Sequence, residues 1–199
     1  MARAFRFACQ AYAPSSKAEW LDTARRVEDL GYSTLHVADH YFGPGLALEE
    51  ARHPLQTVAA IPAMTAAAGV TESLRICCRV LCVDYHHPVV LAKELATIDL
   101  FSDGRLEPGF GAGWVGSEYE ALGIPMEAPG VRIERLIETV EFTREFFSGA
   151  ELSFHGVHVT ARNMRAVPAS VQPDGPRVMV GGGSPVSYTH LTLPTNREV

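Results

Sequence analysis

One segment, residues 74–84 (LRICCRVLCVD), restricts the possible folds of this chain more than any other, because it is apolar at nearly every position. Strands that are buried on both faces have this composition, and they occur in parallel sheets whose faces are covered by helices. Four further segments have strand character: 5–12, 33–40, 106–114 and 176–183. Helical patterns separate them, and this alternation predicts an α/β fold with a parallel sheet and right-handed crossovers.

The helical segments carry recognisable start signals. Ser16 and Glu19 form an S-x-x-E capping box before a run of helical spacing. Pro54 is expected to occupy the first turn of a second, apolar helix, and Pro62 is expected to kink it. Residues 131–149 predict a long amphipathic helix, because apolar side chains recur there every three to four positions.

Composition excludes several classes of protein. The chain is 47% hydrophobic and 20% charged, which is typical of a globular domain. Its formal net charge of −6, without a basic block, argues against a nucleic-acid partner. We find neither the ~20 apolar residues of a membrane span nor a signal-peptide pattern. The four cysteines lack CxxC spacing, so we interpret them as reduced thiols of a cytoplasmic protein without a metal site.

The number of strand signals leaves two architectures open. An open doubly wound sheet and a (β/α)8 barrel both fit the alternation, but a barrel typically needs about 250 residues, and we find only about five strands. Residues 184–199 are rich in Ser, Thr, Pro and Asn and have no helical period. We therefore expect residues 1–184 to form a partial domain and residues 185–199 to be a non-native or disordered tail, with the last three strands of a barrel missing.

The stretch GFGAGWVG at 109–116 contains G-x-G-x-x-G, starting at Gly111. A dinucleotide-binding loop also needs a long helix from its last glycine and an acid that closes a second strand about 20 residues later, and both are poorly matched here. The glycines either let a strand bend or a helix pack closely, or they thin the strand end so that a flat ring lies against the backbone. In the last case Trp114 and Glu118 border the ring.

Four stretches of the chain resemble the bacterial luciferase-like superfamily, and most closely its F420-dependent oxidoreductases. They are LHVADHYFG (35–43), the segment from RVLCVDYHHP to FSDGR (79–105), the run that contains GFGAGW (101–145), and PRVMVGGGSP (176–185). Their order and spacing match over residues 1–184. The resemblance implies a (β/α)8 TIM barrel, here incomplete with about five strands, that holds FMN or the deazaflavin F420 at the carboxyl ends of its strands.

The resemblance also implies roles for individual residues. His40, at the end of the second strand, matches a histidine beside the reacting ring and is our candidate proton donor or acceptor; Asp39 is expected to contact or orient the cofactor, or the pair merely caps a loop. Cys78, Arg79 and Val80 match a bulge with a non-prolyl cis peptide that supports the ring. Cys78 is not expected to be a nucleophile, because nothing nearby in the sequence lowers its pKa.

Further cofactor contacts are expected from the ends of strands four and five: Gly111, Gly113, Trp114, Ser117, Glu118, Gly181 and Gly182. The glycines of strand five are placed to meet a phosphate-bearing side chain through backbone N–H groups, or they form a simple turn. Trp114 stands where sugar-phosphate dehydrogenases of the superfamily have an acidic glutamate, which argues against a sugar-phosphate substrate.

Two more pairs of residues have structural interpretations. Paired histidines at 86 and 87 are expected to lie in a loop that enters a helix, because no third metal ligand stands at suitable spacing. Arg132 and Arg135, on the amphipathic helix, are expected to form surface ion pairs.

The sequence therefore predicts an F420-dependent oxidoreductase that transfers hydride between the deazaflavin and a small organic substrate. One alternative is an FMN-dependent luciferase-like monooxygenase. Another is a non-catalytic flavin-binding protein or an inactive fragment. The partners expected are a small-molecule substrate and, from the resemblance, a second copy in a homodimer, with no nucleic acid and no membrane.

Overall fold

The computed structural model describes residues 5–41 and 43–182. The expected tail at 185–199 lies outside the described residues. The elements, in chain order, are β1 (Ala8–Gln10), α1 (Lys17–Asp29), β2 (Thr34–Val37), α2 (Leu46–Ala51), α3 (Ala60–Ala68), β3 (Arg75–Cys78), β4 (Leu81–Cys82), α4 (Pro88–Phe101), β5 (Gly109–Gly111), α5 (Gly116–Leu122), α6 (Pro129–Phe147), β6 (Glu151–His155), β7 (Thr160–Arg165) and β8 (Met179–Val180).

The strands of the described part form two parallel sheets and one antiparallel hairpin. The sheets have the orders β1-β2-β3 and β4-β5-β8, and every pairing in them is parallel. The hairpin pairs β6 with β7. An isolated bridge between Ile76 and Leu106 joins the two sheets. The parallel α/β arrangement predicted from the sequence is therefore confirmed.

The apolar segment at 74–84 forms two short strands rather than the single strand we predicted. β3 pairs with β2, whereas β4 pairs with β5, so the segment contributes to both sheets. The break falls at Arg79 and Val80, and the peptide bond between them is cis. A non-prolyl cis peptide at this place was implied by the resemblance, and it is confirmed.

The helix start signals had mixed outcomes. Ser16 caps α1 as predicted, accepting a hydrogen bond from the backbone of Glu19, although the Glu19 carboxylate reaches back to Ser15 instead of Ser16. The second predicted helix begins at Ala60, not at Pro54. Pro62 therefore lies in the first turn of α3, where its missing N–H has no partner to lose, and it does not act as a kink within a longer helix.

The core lies between the helices and the sheets. Met64 of α3, Leu95 of α4, Phe110 of β5 and Phe142 of α6 are all inaccessible to solvent, and burying side chains of this size contributes about 1.5–3 kcal/mol each. None of the helices in the described residues is both long and apolar enough to cross a membrane. Because the six sheet strands run parallel, their carboxyl ends meet at one edge, where α/β proteins bind ligands.

Candidate active site

Two adjoining pockets open at the carboxyl ends of the strands. The smaller pocket has a volume of about 270 Å³ and is lined by the residues after β2, including Asp39 and His40. The larger pocket has a volume of about 550 Å³ and is lined by the ends of β5 and β8. A wall shared by both consists of Arg79, Val80, Gly113 and Trp114. The predicted site residues from four strand ends, except Cys78 and Ser117, are therefore brought together around these pockets.

A buried carboxylate holds the candidate proton carrier. Glu118, in the first turn of α5, is almost fully buried, and its Oε2 lies 2.9 Å from Nδ1 of His40. The same oxygen accepts a hydrogen bond of 2.9 Å from the Tyr85 hydroxyl, and Oε1 accepts one of 2.6 Å from the backbone N–H of Tyr41. Burial, together with the nearby Cys82 and Glu118, raises the pKa of Tyr85, so its hydroxyl stays protonated and donates.

Glu118 thus has a role that the sequence did not suggest. It lines the smaller pocket, but its oxygens accept hydrogen bonds from His40, Tyr85 and the backbone of Tyr41. Since an ionised carboxylate only accepts hydrogen bonds, the pairing places a proton on Nδ1 of His40. The expected contact of Glu118 with a cofactor ring stays a prediction.

Asp39 pairs with a histidine that sequence reasoning had treated as a loop residue. The Asp39 side chain is fully buried; its Oδ2 accepts a hydrogen bond of 2.9 Å from the backbone of Cys82 and lies 2.8 Å from Nε2 of His86. Oδ1 is buried and has no hydrogen-bond partner among the described residues. Burial lowers the pKa of His86, but the hydrogen bond and charge of Asp39 outweigh it and raise that pKa above its usual value.

Aromatic rings line the mouth of the smaller pocket. The ring of His53 lies 4.4 Å from that of His40 and 5.2 Å, edge-on, from that of Tyr12. Trp114 stands edge-on to His40 with ring centres 6.3 Å apart, and 59% of Trp114 is exposed. Burial lowers the pKa of His53, so its imidazole is neutral near pH 7. His53 was missed because it lies between predicted elements, in a stretch without periodicity.

The glycines at the carboxyl ends of β5 and β8 stand close to two side chains. A Cβ at Gly111 would stand 2.5 Å from Cγ2 of Val80, and one at Gly181 would stand 2.9 Å from Cγ1 of Val80. At Gly113, which has a φ of 73°, a Cβ would meet the Tyr119 hydroxyl. The space beside these glycines is therefore occupied by Val80 and Tyr119, and the expected contact of a cofactor ring with the strand-end backbone stays a prediction. Val80 itself faces both pockets.

Arg132 is buried instead of forming the surface ion pair we expected. It lies in the first turn of α6, and its Nη1 donates to the carbonyls of Ala112, at 2.9 Å, and Gly113, at 2.7 Å. It thereby holds the end of β5 and lines the larger pocket. Arg135, by contrast, does form ion pairs, with Asp84 and Glu127.

The remaining predicted residues differ in their access to the pockets. Gly111, Gly181 and Gly182 line the larger pocket. Cys78 is fully buried and lines neither of the two pockets, and burial raises the pKa of its thiol well above the usual value, in line with a thiol that is not a nucleophile. Ser117 also lines neither pocket, and its hydroxyl oxygen is buried without a hydrogen-bond partner in the described residues.

The sequence and the fold are similar to those of known enzymes. The profile of the luciferase-like monooxygenase family matches residues 2–190. An uncharacterized protein, Rv0953c of Mycobacterium tuberculosis, is 33% identical over 170 residues, covering 79% of this chain and 58% of that protein. The F420-dependent glucose-6-phosphate dehydrogenase of Amycolatopsis mediterranei is 26% identical over 169 residues, covering 84% of this chain and 49% of the dehydrogenase.

Among solved structures, the monooxygenase RslO1 of Streptomyces bottropensis superposes with a TM-score of 0.74 at 24% identity, covering 88% of this chain and 53% of that one. This likeness places the fold among those of luciferase-like TIM-barrel enzymes. The chain spans about half the length of the relatives it matches.

Proposed function

The chain belongs to the luciferase-like monooxygenase family, and from that premise we propose that it is the cofactor-binding part of an F420-dependent oxidoreductase that transfers hydride between the deazaflavin and a small organic substrate. Residues 1–184 would form an incomplete TIM barrel of about five strands, with 185–199 outside the fold. We expect the protein to act in the cytoplasm and to form a homodimer.

One observation carries the proposal: His40, held by the buried carboxylate of Glu118, lies in a pocket whose wall is shared with a larger pocket of opposite charge. Among the described residues, two arginines, Arg79 and Arg132, line the larger pocket, and no carboxylate does. F420 and FMN both carry a phosphate, and guanidinium groups are well suited to bind one. The residues present therefore fit an anionic cofactor.

The division of roles follows from this fit. Arg79, Arg132 and the backbone of Gly181 and Gly182 would hold the phosphate-bearing side chain. Val80 and Trp114, on the shared wall, would flank the ring. When bound, the cofactor supplies the hydride acceptor or donor, and the protein contributes orientation, charge and exclusion of water.

His40 would carry the proton that accompanies hydride transfer. In alcohol oxidation it takes the hydroxyl proton of the substrate, and in the reverse direction it returns that proton to the carbonyl oxygen. Imidazole suits this task because its two ring nitrogens let it both accept and donate a proton. Glu118 keeps the ring in one orientation through its contact with Nδ1, as carboxylates do for catalytic histidines.

The choice of F420 rests on the resemblance of the strand-end motifs and on the F420-dependent relative at 26% identity. A second candidate is an FMN-dependent monooxygenase, which the description of the matching family favours. The two are separated by cofactor preference, since both cofactors would use the same arginine-lined pocket.

The test starts with titration of the purified chain with F420 and, separately, with FMN. Binding is measured by the fluorescence of the cofactor. We expect F420 to bind more tightly. His40→Asn should leave cofactor affinity within about threefold but lower turnover across a panel of alcohols by about 100- to 10,000-fold. His155→Asn, on an exposed position of β6, is the matched control.

Binding of neither cofactor would overturn the proposal. A preference for FMN, with oxygen consumption, would favour the monooxygenase. Cofactor binding without any turnover, unchanged by His40→Asn, would instead favour a flavin-binding protein without catalytic function.

A further inference from the structure

The smaller pocket restricts the charge and shape of what it binds, and we infer that its substrate is a small uncharged molecule with an apolar ring and one hydroxyl or carbonyl oxygen. This inference rests on the proposed function, because it takes the smaller pocket to be the substrate site beside His40. It goes further in naming the chemical class of the substrate.

The charges that line the pocket argue against an anionic substrate. Two carboxylates, those of Asp39 and Glu118, line it, and Arg79 is the single arginine or lysine among its described lining residues. A phosphate or carboxylate group is normally bound by several cationic groups or backbone N–H donors. Here an anion would meet one arginine and two buried negative charges, so phosphorylated substrates are disfavoured.

The same contacts argue against a cationic substrate. Both oxygens of Glu118 already accept hydrogen bonds, from His40, Tyr85 and the backbone of Tyr41. Asp39 is fully buried, and its Oδ2 is bonded to His86 and to backbone. Oδ1 of Asp39 is buried and has no hydrogen-bond partner among the described residues. The oxygens of Glu118 are already occupied, however, and an ammonium group entering the pocket would also be repelled by Arg79.

The aromatic side chains in the wall of the smaller pocket favour a ligand that contains a ring. Tyr12, His53, His40 and Trp114 form a series of rings in edge-on or tilted contact, with centroid distances of 5.2, 4.4 and 6.3 Å. His53 is neutral near pH 7, so this wall presents apolar ring surfaces with few charges. Such surfaces gain from contact with another apolar ring. The described residues enclose about 270 Å³, below the ~300–1,000 Å³ of drug-sized ligand sites, and the test ligands are chosen to fit within that volume.

The test uses three ligands that share one ring and differ in charge: cyclohexanol, cyclohexanecarboxylate and cyclohexylamine. The chain has two tryptophans. Trp20 is buried in the core, with its indole N–H bonded to the carbonyl of Ala63, whereas Trp114 lies in the pocket wall. Emission of Trp114 therefore reports binding, and titrations are compared in the unmodified chain, in Trp20→Phe and in Trp114→Phe.

We expect cyclohexanol to bind at least about tenfold more tightly than either charged analogue, with the emission change kept in Trp20→Phe and lost in Trp114→Phe. His53→Leu, which removes one ring of the wall, should weaken cyclohexanol binding without changing cofactor affinity. Equal or tighter binding of the carboxylate would overturn the inference in favour of an anion site, and equal or tighter binding of the amine would overturn it in favour of a cation site.

Cofactor titration, run separately, distinguishes failure of this inference from failure of the proposed function. If F420 or FMN binds but cyclohexanol does not, the substrate class is wrong and the cofactor assignment stands. If cyclohexanol binds by the Trp114 signal and neither cofactor does, the proposed function is wrong and the preference of the pocket stands. Binding of none of them overturns both.

Discussion

The two pockets at the strand ends share a wall but have opposite charge. In the part of the chain that the structure describes, the larger pocket is lined by Arg79 and Arg132 with no acid, whereas the smaller one is lined by Asp39 and Glu118 with Arg79 at the shared wall. The acids come from the end of β2 and the start of α5, and Arg132 comes from α6. Neighbouring strand ends can thus form two adjoining pockets whose linings differ in charge.

The difference also extends to how the charges are held. At the smaller pocket, Asp39 is paired with His86, whose raised pKa makes the charge of this pair depend on pH. In the larger pocket, the cations are guanidinium groups, which stay protonated throughout the physiological range. We therefore expect the smaller pocket to respond to pH and the larger one to respond mainly to salt and to charge substitution.

The largest expected effect comes from a substitution that removes the partner of Asp39 at the smaller pocket. His86→Leu leaves the buried charge of Asp39 without its cation, which should lower the free energy of unfolding by about 3 kcal/mol at pH 6. Because the folded pKa of His86 is raised, its stabilising contribution is fully present below about pH 6.5 and is lost as pH rises through the folded pKa. The cost should therefore be smaller at pH 9.

Urea denaturation at the two pH values measures this difference. His86→Asn, which keeps a hydrogen-bond donor but no charge, should recover part of the stability at both pH values, and His155→Asn, at an exposed position, should change little. An equal cost of His86→Leu at pH 6 and pH 9 would count against an ion pair with Asp39.

The next largest effect comes from a substitution that reverses the charge of Arg79 in the shared wall. Arg79→Glu should weaken F420 or FMN binding about 100-fold, since a charge-assisted contact contributes about 1.5–3 kcal/mol. Arg79 is exposed, and among the described residues its side chain makes one long hydrogen bond, of 3.5 Å to Gln10, so loss of the guanidinium should leave folding nearly intact. Arg25→Glu, on the exposed side of α1, is the matched control. Unchanged cofactor affinity in Arg79→Glu would remove the charge distinction between the pockets.

A smaller effect tests the packing of the wall itself. Gly111→Ala places a Cβ against Cγ2 of Val80, and we expect a loss of about 2 kcal/mol in stability through overpacking. Val80→Ala removes the atoms that clash, so the double variant should be more stable than the sum of the two single effects predicts. Simple additivity, measured by urea denaturation of all four proteins, would show that Val80 is not what confines Gly111 to glycine.

The smallest effect separates the pockets by ionic strength. Raising salt from about 50 mM to 500 mM should weaken cofactor binding several-fold by screening the arginines, while cyclohexanol binding should stay nearly constant. Titration of both ligands in the same buffers provides the comparison. Parallel loss of both affinities would contradict a neutral substrate in the smaller pocket.

Much of the fold could be predicted from periodicity. The capping box at Ser16 and the amphipathic period of α6 depend on neighbours three or four residues away, and both helices formed as expected. The break in the strand at 74–84 has no such local signal, because the apolar run continues through it. The resemblance to a family placed the cis peptide there, and residue pattern alone could not have done so.

The site was predicted in position more successfully than in detail. Strand ends in a parallel sheet meet at one edge, which is enough to bring Asp39, His40 and Trp114 together. The partners of the acids could not be predicted, since His86 and Asp39 are 47 positions apart and His40 and Glu118 are 78 apart. Nor does the sequence say that Arg132 turns inward, because a guanidinium on an amphipathic helix fits either solvent or buried carbonyls.

The side chain of Val80 fills space that glycines of two different strands leave open, and this has a consequence for natural variation. Side-chain size at position 80 and at positions 111 and 181 cannot change independently. Related proteins that carry alanine or serine at either glycine position should carry a smaller residue at position 80, so the three sites should vary together. A mutational scan that samples pairs as well as single substitutions should recover the same dependence.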